Sequence, residues 1–370
     1  MRKLRLGMVG GGQGAFIGGV HRIAARIDGD WELVAGALSS DPERTRASAA
    51  ELGIAADRAY GSYEEMAQAE AARADGIDAV AIVTPNHMHA GPAVAFLNAG
   101  IHVICDKPLA ATMEQAEAIA EAVQRSGKHF ILTHNYTGYP LMRQAREMVA
   151  RGDLGAIRVV QVEYAQDWLA EETHGKQADW RVDPAKSGAG GAVGDIGTHA
   201  YNLACFVTGL EAERLAADLD AFVPGRKVDD NTQVMLRFKG GAKGALWASQ
   251  VAVGNENALR LRVYGEKGGF EWAQENPNVM TFTRFGQPKQ ILTRAGAGAT
   301  EAGLRNTRTP GGHPEGYLEG FATIYAEAAA LIRGNDPDAH VPGIKEGLAG
   351  IRFIAACVES SARDAAWVTL

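Results

Sequence analysis

Leu4-Arg5-Leu6-Gly7-Met8-Val9-Gly10-Gly11-Gly12-Gln13-Gly14-Ala15-Phe16-Ile17-Gly18 is the stretch on which the fold turns. Its first six residues read as a strand, the glycines follow without a linker, and a helix is predicted over 20–27. Strand, glycine turn and helix together open a βαβ unit. Gly10-x-Gly12-x-x-Ala15 is the spacing in which small residues permit a tight turn and a close approach of backbone to a pyrophosphate, with the first N–H groups of the helix facing the charge. The spacing alone also suits a flexible turn; the flanking strand and helix favour a dinucleotide. That reading sets Gly10, Gly12, Gln13, Gly14, Ala15, Phe16 and Ile17 against a cofactor.

Outward from this stretch, short apolar runs at 31–38, 79–83, 102–105 and 129–133 alternate with amphipathic stretches at 42–52, 89–99 and 113–126. The second helix opens with Asp41-Pro42, a cap followed by a first-turn proline. The alternation predicts a parallel, doubly wound sheet as a first domain over 1–135. After Arg151 the pattern changes to strand-like runs at 157–164, 232–238, 245–253, 259–264 and 279–285. Glycine turns such as Lys239-Gly240-Gly241 and Glu266-Lys267-Gly268-Gly269 join several of them, which predicts an antiparallel sheet. Helices are expected at 314–333 and 345–363, free to pack back on the first domain, and 294–312 reads as a loop. The fold class is thus α/β: a Rossmann-type parallel sheet, then an α+β domain over 136–370 with a large, mostly antiparallel open sheet.

With 370 residues, 46% of them hydrophobic, the chain can bury two cores. Its formal charge of −7 is interspersed rather than blocked, so no basic stripe invites nucleic acid. No apolar run nears the roughly 20 residues of a membrane span. Cys105, Cys205 and Cys357 are odd in number and far apart, which argues against a disulfide framework or zinc site and for a reducing, cytoplasmic setting. No metal is expected.

The second strand ends in Leu38-Ser39-Ser40-Asp41, where an NAD enzyme places an acid on the ribose. Ser39 and Ser40, with Arg44 a turn later, leave room for a 2′-phosphate, and Asp41 reads as the helix cap. The cofactor is NAD or NADP, with a lean to NADP. Thr84-Pro85-Asn86 and Asp106-Lys107-Pro108 fall at carboxyl ends of strands, where open α/β sheets bind ligands. Thr84, Pro85, Asn86, His89, Asp106, Lys107 and Pro108 are therefore counted with the cofactor loops, although His87 and His89 read as loop histidines without a charge role. Lys107, held by its proline, reads as a positioned lysine rather than a solvated one. In the second half, Gly190-Gly191-Ala192-Val193-Gly194-Asp195-Ile196-Gly197-Thr198-His199 runs into a helix on which Asp195, His199 and Asn202 share a face at i, i+4 and i+7. The bland alternative is a capping aspartate with a packed histidine.

These three signatures, the glycine loop, Asp106-Lys107-Pro108 and Asp195-Ile196-Gly197-Thr198-His199, resemble those of the glucose-fructose oxidoreductase / inositol dehydrogenase (Gfo/Idh/MocA) family, in the same order. The resemblance implies a Rossmann domain, an open-sheet second domain, and dimers or tetramers formed through that sheet. It also implies that Lys107 is the positioned lysine, Asp195 a substrate-hydroxyl ligand and His199 the proton acceptor. Two positions depart from the family pattern: its triplet usually begins with Glu, and Ser39 stands where the ribose acid is usual. Trp180-Arg181 and His313-Pro314-Glu315-Gly316-Tyr317 resemble pocket elements of sugar- and cyclitol-active members. The resulting expectation is hydride transfer between nicotinamide and a secondary alcohol or ketone of a sugar, glycoside or inositol, with Lys107, Trp180, Arg181, Asp195, His199, His313 and Tyr317 on the substrate. An NAD-dependent glycosidase working through transient oxidation, and a non-catalytic nucleotide sensor, are the competing readings.

Overall fold

The computed structural model describes residues 2–175, 177–336 and 339–370. They form two compact units: the residues up to Asn135 with Phe321–Ile351, and Tyr136–Gly320 with Arg352–Leu370.

In the first unit five parallel strands, β1 (Leu4–Gly10), β2 (Trp31–Ala37), β3 (Ala79–Val83), β4 (His102–Cys105) and β5 (Phe130–Leu132), lie in the order β2-β1-β3-β4-β5. Every residue of β3 is buried, as a strand covered on both faces requires. The order reverses between β1 and β3, so the loops after Gly10 and Val83 flank the crevice where such sheets bind ligands. The connecting helices are α1 (Phe16–Ile27), α2 (Pro42–Glu51), α3 (Tyr63–Ala72), α4 (Ala90–Asn98) and α5 (Met113–Ser126). Side chains cap three of them: Asp41 on α2, Ser62 on α3 and Thr112 on α5.

The second unit carries α6 (Pro140–Ala150), β6 (Ile157–Ala165), α7 (Pro184–Ser187), α8 (Thr198–Thr208), β7 (Ala212–Asp220), β8 (Asn231–Phe238), β9 (Lys243–Ser249), β10 (Ala258–Gly265), β11 (Gly268–Ala273), β12 (Val279–Arg284), β13 (Gln290–Thr293), α9 (Glu301–Arg305) and β14 (Val368–Thr369). Its nine strands run β13-β12-β11-β10-β6-β9-β8-β7-β14, antiparallel except for the parallel pair β6–β9. On β8 buried and open positions alternate, the signature of a sheet covered on one face. The last two helices, α10 (Tyr317–Ile332) and α11 (Ile344–Ala362), each contain residues of both units. Within the first unit, Tyr325 of α10 bonds His21 at 2.8 Å and accepts the Trp31 indole N–H at 2.9 Å.

Several elements differ from the sequence expectation. α1 begins at Phe16, four residues earlier than predicted; Gly18 and Gly19, poor helix formers, sit inside its first turns and moved the expected start too late. β7 is built largely of helix-forming Ala, Glu, Arg and Leu and becomes a strand by pairing with β8, tertiary context overriding propensity. The glycine turn expected at 266–269 is shorter, since Gly268 and Gly269 already pair with Arg284 and Thr283 in β11–β12. α9 interrupts the loop expected at 294–312. α3, α6 and β13 are further elements without a sequence expectation. Among the described residues no helix is long and apolar enough to cross a membrane, and no group of three or more His, Cys, Asp or Glu could hold a metal ion.

Candidate active site

The glycine loop of the first unit is built by close backbone approach. A Cβ on Gly18 would lie 2.4 Å from the Gly11 Cα, and one on Gly12 would lie 2.7 Å from the Leu38 carbonyl oxygen. Gly10, Gly11 and Gly14 hold φ of 79°, 74° and 74°, the left-handed region in which glycine carries no Cβ penalty. The cleft so formed, of about 430 Å³, is lined by Gly11, Gly12, Gln13, Gly14, Ala15, Phe16, Arg22, Ser48, Glu51 and Leu52. Unlike α2, α3 and α5, α1 has no side-chain cap: Ala15 holds the cap position and cannot accept from the first N–H groups. Unpaired donors at a helix start, beside a backbone cradle that side chains would fill, fit a dinucleotide pyrophosphate.

Two side chains that the sequence reading passed over complete this cleft. Arg22 donates to the Gly11 carbonyl at 2.6 Å, fixing the loop and bringing positive charge to its wall. Glu51 accepts a hydrogen bond from the Gln13 side chain. At the end of β2, Asp41 spends its carboxylate on the Glu43 and Arg44 amides, so it is the cap. The Thr45 hydroxyl ties both the amide and the carbonyl of Ser39, at 3.0 Å each, while Ser40 and Arg44 are exposed.

The loops after β3 and β4 are braced to each other by His89. This ring is completely buried, with Nδ1 2.8 Å from the Pro108 carbonyl and Nε2 2.9 Å from the Thr84 carbonyl. Burial pushes its pKa down, against which Asp106 and the two carbonyls push back. Each nitrogen faces a backbone carbonyl, so the neutral ring donates to one of them and sits between the two loops. Asp106 accepts from the Lys107 amide at 2.9 Å and the Thr133 hydroxyl at 3.1 Å. Lys107, half-buried and followed by a cis peptide bond to Pro108, stands close enough to His134 that its charge, after burial, helps hold that histidine's pKa at about 3. Asn86 is buried, whereas Thr84 and Pro85 are half-buried.

In the second unit the glycine-rich approach is held by Asp229, whose carboxylate accepts from the Gly191 amide at 2.6 Å, the Val193 amide at 2.8 Å and the Thr232 hydroxyl at 2.7 Å. Burial raises the Asp229 pKa, and these three donors oppose the rise. Asp195 lies in a π-helical turn, Val193–Gly197, that leads into α8, so the regular α-helix assumed from Asp195 to His199 begins only at Thr198. They still meet common neighbours. The His199 ring packs at 4.9 Å from Tyr136 and 6.3 Å from Tyr164, and the Asp195 charge acts on both tyrosine hydroxyls, whose pKa values burial already raises. The Asp195 carboxylate is oriented by Arg181 Nε at 3.1 Å and Gln250 Nε2 at 2.9 Å. The Arg181 guanidinium lies 4.3 Å from the Trp180 ring and 5.8 Å from that of Trp168. Asn202 is buried on α8, the helix that carries His199.

Of the two C-terminal candidates, Tyr317 acts electrostatically on Tyr164 and so belongs to the same neighbourhood, while His313 is exposed on the preceding segment. That segment is clasped by Arg294, which pairs with Glu315 at 3.1 Å and donates to the Thr309, Pro310 and His313 carbonyls. Asp229, Gln250, Tyr136 and Tyr164 escaped the sequence reading because each is distant along the chain from the motif it serves. Asp229-Asp230 ahead of an expected strand was the one visible signal.

Comparison with known proteins agrees with this architecture. Residues 4–134 match the family model described as oxidoreductase family, NAD-binding Rossmann fold, and 142–271 match the GFO/IDH/MocA C-terminal domain. An oxidoreductase from Sinorhizobium meliloti is similar over 100% of both chains, with 55% identity and a TM-score of 0.92. An inositol dehydrogenase homolog from Azotobacter vinelandii, solved with NAD+, shares 36% identity over 100% of this chain and 98% of its own, with a TM-score of 0.95. Levoglucosan dehydrogenase from Pseudarthrobacter phenanthrenivorans is 28% identical over 100% of this chain and 98% of its own length. With a match of this extent, above 30% identity and over the whole chain, the protein belongs to the GFO/IDH/MocA family of oxidoreductases with an NAD-binding Rossmann fold.

Proposed function

We propose that this protein is an NAD(P)-dependent dehydrogenase acting on a secondary alcohol of a sugar, glycoside or cyclitol ring. The observation that carries the reading is the pairing, in the second unit, of an oriented carboxylate, Asp195, with the His199 imidazole against the same two tyrosines. Oxidising an alcohol requires a base for the hydroxyl proton, and imidazole suits that task at neutral pH. His199 takes that proton. Lys107 is the cation that stabilises negative charge developing on the reacting oxygen. Asp195, kept in place by Arg181 and Gln250, accepts from a neighbouring hydroxyl and so selects which carbon reacts. A bound nicotinamide would supply the hydride acceptor.

Polyhydroxylated rings suit the surroundings. Trp180, Arg181, His313 and Tyr317 offer aromatic faces and hydrogen-bonding groups, and relatives named for inositol and levoglucosan share the fold over the full chain. Gly10, Gly12, Gln13, Gly14, Ala15, Phe16 and Ile17 hold the pyrophosphate, with Thr84, Pro85, Asn86, Asp106, Lys107 and Pro108 toward the nicotinamide. Ser39, Ser40 and the exposed Arg44 meet the adenosine ribose and favour NADP. The active form is a homodimer or homotetramer in the cytoplasm. The test is Lys107→Met and His199→Asn: each lowers kcat by about 10²-fold or more while cofactor affinity stays within a few-fold. Wild-type turnover in both variants would overturn the assignment.

A further inference from the structure

The second unit contains a hydrogen-bond network whose direction can be worked out from one end to the other. It begins at Trp168, whose indole N–H can only donate and does so to Gln166 Oε1 at 3.0 Å. That fixes the Gln166 amide, turning its Nε2 toward Asn257 Oδ1 at 2.7 Å. The Asn257 amide is fixed in turn. Its Oδ1 also accepts from the Tyr164 hydroxyl at 2.8 Å, and its Nδ2 donates to Gln274 Oε1 at 3.0 Å and to the Tyr136 hydroxyl at 3.4 Å. Tyr164 has one proton and has given it to Asn257, so in the close contact between the two tyrosine hydroxyls Tyr136 is the donor. Gln274 Nε2 then donates to Tyr139 at 3.2 Å, and the Tyr139 ring stacks on Tyr136.

Both tyrosines are therefore held in rotation as well as position, and both are buried. Their rings wall the His199 imidazole, Tyr136 at an interplanar angle of 75° and Tyr164 at 59°. A general base works only if it presents one nitrogen, in one tautomer, along one direction. Resting on the reading of His199 as that base, we propose that Tyr136 and Tyr164, locked by Asn257, are positioning residues whose rings hold the His199 ring in a single orientation, so that each of its nitrogens keeps one set of neighbours and the ring one tautomer. Neither tyrosine needs to touch substrate for this. β6 supplies Tyr164 and leads into Gln166 and Trp168, and Asn257 immediately precedes its partner strand β10, so pairing of these two strands brings Asn257 to Tyr164 and Gln166.

The test uses the full chain labelled with 15N-histidine. Two-bond 1H–15N spectra report the tautomer of each ring, and the His199 signals are identified by their loss in His199→Asn. In the wild type His199 shows one tautomer. In Tyr136→Phe and Tyr164→Phe, which each remove one hydroxyl and keep the ring, its nitrogen shifts move toward the tautomer average; Asn257→Leu, which removes the bonds to Gln166, Tyr164, Gln274 and Tyr136 at once, moves them further. His199 shifts that stay in place in all three variants, each melting within a few degrees of wild type, overturn the positioning claim. Turnover of His199→Asn separates the two ideas. Full turnover there sinks the base reading and this inference together, whereas lost turnover with unmoved spectra sinks this inference alone.

Discussion

The two units build their candidate sites from different material. In the first, the cleft is mostly backbone: Gly10 to Gly14 in left-handed or closely approached conformations, an uncapped helix start, and loops at the ends of strands buried on both faces. In the second, the site is side chains on a turn and a sheet, Asp195 and His199 held by Asp229, Arg181, Gln250 and two tyrosines. A backbone site tolerates almost any side chain that stays out of the way and fails when a Cβ intrudes. A side-chain site fails when a partner is cut, even one far along the chain.

Each unit also holds a buried arginine–glutamate pair, and these give the largest expected effects. Arg58 pairs with Glu70, which further accepts from the Tyr60 hydroxyl and the Ile77 amide near the start of β3, the end of the strand opposite Thr84. Arg294 pairs with Glu315 and clasps the segment that carries His313. Arg58→Met and Arg294→Met each strand a buried carboxylate and should cost about 3–5 kcal/mol by denaturant unfolding. The kinetics should part company: Arg294→Met raises KM for the sugar or cyclitol several-fold, and Arg58→Met leaves it unchanged. Equal KM effects would erase the proposed division of labour.

Gly18→Ala sharpens the comparison from the other side. Its Cβ must displace the Gly11 backbone, which should cost about 1–3 kcal/mol and raise the cofactor Kd about tenfold or more in a fluorescence titration. An unchanged Kd would show that the close approach of α1 to the loop has no part in cofactor binding.

The first unit should also be the acid-sensitive one. Burial holds the pKa of His21 at about 4, and its Nε2 has no hydrogen-bond partner among the described residues, so a second proton there is unsupported. The folded value lies below the ordinary 6.5, so stability is complete above that pH and falls as pH drops toward 4, where the unfolded chain takes up a proton that the folded chain refuses. Between pH 7 and 5 this one group removes about 2 kcal/mol. His21→Phe should shrink the difference in unfolding free energy between those pH values by that amount, and an unaltered pH dependence would remove His21 from the account.

The same contrast explains what was legible in the sequence. A backbone site leaves a contiguous trace, and the glycine loop, Asp106-Lys107-Pro108 and the parallel strands of the first unit could be read almost residue by residue. Asp195 and His199 were visible because they share one motif. The π-turn between them was not, since it depends on Asp229 capturing the Gly191 and Val193 amides from 38 and 36 residues away. Tyr164 and Asn257 meet through the pairing of β6 with β10, Tyr136 joins them from outside both strands, and none of the three carries a local pattern. The burial of His89 between two carbonyls was hidden for a related reason, since Thr84 and Pro108 reach it from two different loops.

The most direct test of the central claim is absorbance of reduced nicotinamide on mixing the purified protein with NAD or NADP and a panel of inositols, aldoses, glycosides and levoglucosan. Cofactor reduction that depends on one of these compounds is the predicted result, and the faster cofactor reports on Ser39, Ser40 and Arg44. A protein that binds the cofactor but reduces none of it across the panel, or that releases free sugar without accumulating NAD(P)H, would contradict a dehydrogenase.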